Sequence, residues 1–193
     1  MQKEEYHIYL KWPCYLAQWY AHEMHRIKHF NSECEPEYRY DCHVPVLDLE
    51  PVHTVRGSLQ RNILEANLTK PTENFDERPP QEATICIVLP QFLNKPPQYY
   101  HCLRPAAQTL LKNSVRDSMR IQLAKYMGKN LSGYVRKSNS VSYIKNLITS
   151  FMDLNGIENT DTNYEAVLKI WKRIDDSRRI SQYRKNKKNQ EDI

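Results

Sequence analysis

Between Val141 and Ile174 the apolar residues draw two helical stripes broken at a single glycine. Val141, Ile144, Leu147, Ile148, Phe151 and Met152 recur at three-four spacing. That spacing puts them on one side of a helix covering about 140–155. Gly156 stands where a left-handed helix end is usual, and Ile157 supplies the apolar contact that closes such an end. Tyr164, Val167, Leu168, Trp171 and Ile174 then fall on an arc of about 120° at 100° per residue. Thr162 stands three residues before Glu165, the spacing of a capping box, which predicts the second helix start there. Lys169, Lys172, Arg173 and Arg179 flank this stripe. The pattern therefore predicts a helical hairpin with one basic flank.

The rest of the chain divides into a mixed half and a helical half. Residues 6–12 are aromatic and branched, and Ile8, Leu10 and Trp12 alternate onto one face, as in a strand. Pro13 ends the strand and suits a helix start. Leu16, Trp19 and Tyr20 continue at helical spacing to about Phe30. Val44, Val46 and Leu47 predict a second strand, which Pro45 should keep short or at an edge. Ser58 is placed to cap a helix over about 59–68, and its free N–H groups beside Arg56 suit an anion. Residues 83–89 are an unbroken apolar run, the mark of a strand buried on both faces. Strand, helix, strand, helix, strand predicts an α+β fold: a small three-stranded sheet with two helices in the N-terminal half. After the boundary suggested by Asn94-Lys95-Pro96-Pro97, a short turn at 99–103 leads to a long helix from Pro105 to about Met127, ended by Gly128. The expected modules are 1–95 and a helical, basic 98–193 with a basic tail that should fray.

Charge separates the same two halves. Residues 1–100 carry 10 basic and 14 acidic side chains, whereas residues 101–193 carry 18 and 9. A basic second half is the expected footprint of contact with phosphate. Four glycines against eleven prolines argue against a glycine-rich phosphate loop. No run approaches the roughly 20 apolar residues of a membrane span. The charged start, 1–6, leads into no signal core, so a cytoplasmic protein is expected. Five cysteines without framework spacing fit reduced thiols.

Other candidate chemistry is sparse. His22, His25 and His29 share a helix face, with Cys34, Cys42, His43 and His53 further on, a set that offers zinc ligand types without zinc spacing. Asp48 and Glu50 alternate in an extended chain and could share magnesium, but nothing completes a nuclease pattern. Lys112, Arg116 and Arg120 form a row four apart on the long helix. No nucleophile–base pair accompanies any of these, so no enzyme, cofactor or resident metal is expected.

Two helices, a turn and basic residues on the second helix resemble a helix-turn-helix unit of DNA-binding proteins over residues 141–180. The resemblance implies a nonenzymatic DNA-binding protein, a regulator or an accessory factor of replication or a mobile element. It implies phosphate contacts by Lys169, Lys172, Arg173, Arg178 and Arg179. It implies base-edge contacts by Asn159, Thr160, Thr162 and Asn163, because the start of the second helix enters the groove. The N-terminal half would hold a protein partner or a second copy. The competing expectation is a protein–protein adaptor anchored by Trp12, Trp19 and Tyr20, with the charge split serving only solubility.

Overall fold

The structure, a computed structural model, describes residues 6–28, 38–39, 44–48, 55–71, 83–89, 91–131 and 141–191. Its class is α+β. The chain forms two compact units, residues 1–116 and 117–193. The double proline at 96–97 lies inside the first unit.

In the first unit, strand β1 (His7–Leu10) precedes helix α1 (Cys14–Lys28). Two-residue strand β2 (Tyr38–Arg39), strand β3 (Val44–Asp48) and helix α2 (Val55–Asn67) follow. The main sheet runs β1-β5-β3-β2, with β5 spanning Ile85–Val88. The three expected strands are therefore its body, and β2 adds a fourth. β5 pairs antiparallel with β1 and parallel with β3. Its central place explains the unbroken apolar run: Ile85, Cys86 and Ile87 are all buried. Pro45 does not confine β3 to the sheet edge. The parallel ladder uses Val46–Asp48, and Pro45 stands outside it, opposite Tyr38 of β2.

A second, two-stranded ladder was not expected. β4 (Leu68–Thr69) pairs with β6 (Cys102–Leu103), and the Thr69 hydroxyl donates to Cys102 O at 3.3 Å. α2 begins at Val55, so Ser58 lies within the helix rather than at its cap. The far end of α2 is closed by Lys95, whose Nζ donates to Ala66 O at 2.9 Å and Leu68 O at 2.8 Å. An ammonium there meets the partial negative charge of the helix C-terminus.

The aromatic residues near the N-terminus form the core of this unit. Trp12, Trp19 and Tyr20 are all buried, so they are not the exposed anchors an adaptor would use. The Tyr20 hydroxyl donates to Gln60 Oε1 at 2.6 Å, tying α1 to α2. Burial pushes the Tyr20 phenol well above its ordinary value.

Helix α3 (Pro105–Leu131) carries Leu111, Val115, Met119, Leu123 and Met127 as a buried stripe with a step of four. It runs through Gly128 rather than ending there. In the second unit, α4 (Val141–Leu154) and α5 (Asp161–Glu191) form the hairpin. Leu147, Ile148, Phe151 and Met152 are buried on α4, and Val167, Ile170, Trp171 and Ile174 on α5. Each such side chain contributes about 1.5–3 kcal/mol on burial. α5 continues to Glu191, so the basic tail is helical there rather than frayed.

The turn follows the expected glycine chemistry. Gly156 has φ 64°. Ile157 N donates to Met152 O at 2.9 Å and Gly156 N to Asp153 O at 3.4 Å, the paired bonds of a Schellman motif. The helix start differs by two residues from the expected one. Thr160, not Thr162, is the N-cap: its Oγ1 accepts from Asn163 N at 3.3 Å. Asp161 then occupies the first turn, where a carboxylate suits the helix dipole.

Two outcomes follow. Gly156→Ala should lower stability by about 1–2 kcal/mol, the cost of a side chain in the left-handed region, and Thr160→Ala by about 1 kcal/mol. Thr162→Ala should change little; urea midpoints separate the three. Alkaline pH supplies the second. With its folded pKa raised, Tyr20 contributes stability that is present below the ordinary tyrosine value, about 10, and lost as pH rises above it. Denaturation between pH 8 and pH 11 (about the range of that titration) should show a steeper fall for the wild type than for Tyr20→Phe.

Candidate nucleic-acid interface

α5 is a helix of 31 residues, about 46 Å long at 1.5 Å per residue. Its sequence gives it two contrasting sides. Asn163, Val167, Ile170, Trp171 and Ile174 are buried. Lys169, Lys172 and Arg173 are exposed, and at 100° per residue they fall within an arc of about 100° on the other side. Glu165 and Asp176 fall in the same arc and stand four residues from Lys169 and Lys172. The strip is thus basic with two interspersed carboxylates.

The two remaining phosphate candidates differ from these. Arg179 pairs with Asp175 at 2.7 Å, yet its side chain stays 71% exposed. Such an exposed pair contributes little and leaves the guanidinium accessible to a second anion. Arg178 points the other way. Its Nη2 donates to Ala124 O of α3 at 3.0 Å, and its guanidinium lies 5.8 Å from the Trp171 ring centre. The guanidinium also lies beside Gly128, where a Cβ would stand 3.5 Å from Nη2, an ordinary van der Waals contact. Arg178 is therefore a fastening between α5 and α3, not a member of the outward strip.

The expected base-edge set also divides. Asn159, Thr160 and Thr162 are exposed, with the Thr160 hydroxyl engaged as the cap. Asn163 is 4% exposed, and its Nδ2 donates to Glu158 O at 2.9 Å. It shapes the turn from inside and presents nothing outward. The surrounding charge is negative, since Glu158, Asp161 and Glu165 are all exposed at this end. Burial, and then the Glu165 carboxylate, push the Tyr164 phenol above its ordinary value. The Lys145 ammonium sits 6.0 Å over the Tyr164 ring and links α4 to α5. The connection between the helices is six residues, 155–160, against roughly three to four in a helix-turn-helix unit.

Among the described residues no group of three or more His, Cys, Asp or Glu side chains could hold a metal ion. His29, Cys34, Cys42, His43, Glu50 and His53 lie outside the described residues. Among the described residues no helix is long and apolar enough to cross a membrane. Comparison with protein-family models, curated proteins and solved structures found no match to the chain.

The opposite roles of Arg178 and Lys172 have a measurable consequence. Arg178→Ala should lower stability by about 1 kcal/mol through the lost hydrogen bond to Ala124 O and the lost Trp171 contact, a figure held down by their exposure to water. Lys172→Ala should stay within about 0.5 kcal/mol of the wild type. Thermal or urea unfolding of the two variants checks this, and equal stabilities would contradict the assignment.

Proposed function

We propose that the protein is a nonenzymatic DNA-binding protein, a regulator or accessory factor, that lays the outward side of α5 along the phosphate backbone. The observation that carries this is the exposed strip of Lys169, Lys172 and Arg173, with Arg179 beside it, on one continuous helix. Phosphates on a duplex recur at intervals that such a row can follow, and each contact releases condensed counterions. Arg184, Lys185, Lys187 and Lys188 extend the positive sequence along the same helix.

Charge also determines the mode. Three exposed carboxylates at the start of α5 repel phosphate, whereas the shaft beyond Lys169 attracts it. Contact through the shaft favours backbone tracking over base reading, so sequence preference should be modest. Asn159, Thr160 and Thr162 are then bystanders or, at most, secondary contacts. The adaptor alternative has lost the aromatic anchors that motivated it.

The test is a mobility shift with mixed duplexes over a range of salt. Wild-type affinity should fall steeply with salt, and each of Lys169→Ala, Lys172→Ala and Arg173→Ala should reduce the slope of log K against log salt by about 1. Thr162→Ala should leave the slope unchanged. Affinity that ignores salt, or a triple alanine variant that binds like the wild type, would overturn the proposal.

A further inference from the structure

The second unit carries a feature that DNA binding does not use. An open groove of about 520 Å³ runs between the latter part of α3 and α5. Ile121, Ala124 and Ile174 contribute apolar surface to it, and Arg120 and Asp117 stand at its edge. Ile121 is half exposed although it lies in the groove, so apolar surface is left uncovered there. Arg120 and Asp117 are 3.9 Å apart, with side chains 48% and 63% exposed. So loose a surface pair holds neither partner firmly, and Arg120 remains open to a better carboxylate.

The same unit carries a surface of complementary character. At the hairpin turn, Leu154 is 64% exposed at the end of α4. Glu158 and Asp161 follow within seven residues, and both are exposed. The tip thus offers one large apolar side chain flanked by carboxylates, and the groove offers apolar surface flanked by the Arg120 and Arg178 guanidiniums, with Asp117 the one carboxylate among its lining residues. Both charge and hydrophobic character match, as they do across specific interfaces.

A chain cannot satisfy this match by itself. Asp161 and Ile174 lie on one continuous helix, thirteen residues or about 20 Å apart along its axis. A rigid helix keeps its own tip away from its own groove. We propose that the hairpin tip of one copy docks in the α3–α5 groove of a second copy, Leu154 against Ile121 and Glu158 against Arg120. The two surfaces are different, so the contact is heterologous and leaves a free tip at one end and a free groove at the other. Successive copies then add head to tail. The groove side of α5 faces away from its lysine strip, so assembly and DNA contact use different surfaces. The proposal stands independently of the nucleic-acid reading, and its test contains no nucleic acid.

The experiment is sedimentation velocity of the full chain across a concentration range. The wild type should show a weight-average sedimentation coefficient that rises with concentration. Arg120→Glu and Glu158→Arg change exposed side chains, and circular dichroism should show both folded. Each alone should weaken association by about tenfold or more, because like charges then meet. An equimolar mixture of the two variants should regain concentration-dependent growth, because the intact tip of one meets the intact groove of the other and the reversed pair is again opposite in charge. Both changes in one chain should restore concentration-dependent growth. A wild type that stays monomeric, a mixture that stays monomeric, or a dimer that survives both single changes would each overturn the proposal.

Discussion

The second unit depends on the turn at Gly156. A backbone φ of 64° lets Ile157 N reach back to Met152 O, and this closes α4. The same turn places Ile157 among the buried residues beside Met152. From there the chain reaches the Thr160 cap and begins α5 in a phase that buries Val167, Ile170, Trp171 and Ile174. The phase has a consequence for charge. Once that stripe is inward, Lys169, Lys172 and Arg173 have only the outward side available. Backbone conformation at one residue therefore sets which surface is basic.

Much of this fold was legible because burial and period are coupled. The run at 83–89 is apolar at every position, and only a strand covered on both faces tolerates that. The stripes on α3, α4 and α5 repeat at three and four residues, and their central members are buried, whereas Val141 at the start of α4 is exposed, Tyr126, Ile144, Tyr164 and Leu168 are half-buried, and Ile170 joins the α5 stripe unexpectedly. The mistakes lie where a local signal was outweighed by longer-range pairing. Pro45 looked like an edge marker, yet β3 begins its parallel ladder one residue later and escapes the missing N–H. Gly128 looked like a helix end, but the helix continues past it and Arg178 lies against it. β4 and β6 have two residues each, too few for any alternation to register.

The candidate site was legible in part for a similar reason. Lys169, Lys172 and Arg173 were placed correctly as a flank because the apolar stripe beside them fixed the phase. Arg178 and Asn163 have packing partners that residue type alone did not announce, Asn163 buried and Arg178 still exposed. Both stand in phase with the stripe, Asn163 four before Val167 and Arg178 four after Ile174. Phase outweighed polarity. The asparagine amide was satisfied by the Glu158 carbonyl, and the guanidinium by the Ala124 carbonyl and the Trp171 face. The acidic character of the helix start was visible in Glu158, Asp161 and Glu165, and it shifts contact from the tip to the shaft. The histidine and cysteine cluster carried no spacing signal to judge by.

Lys95 changes how the proline-rich stretch around it behaves as a piece of chain. Asn94 to Pro97 has the composition of a tether between modules, but its lysine is fastened to the carbonyls of Ala66 and Leu68. Just downstream, Leu103 lies opposite Leu68 in the short ladder, and both side chains are buried. A fragment severed at this apparent hinge would lose the cation that closes α2 and the strand that shields Leu68. The smallest self-sufficient N-terminal piece must therefore reach well into α3, and a cut at the prolines would leave a sticky, incomplete remnant.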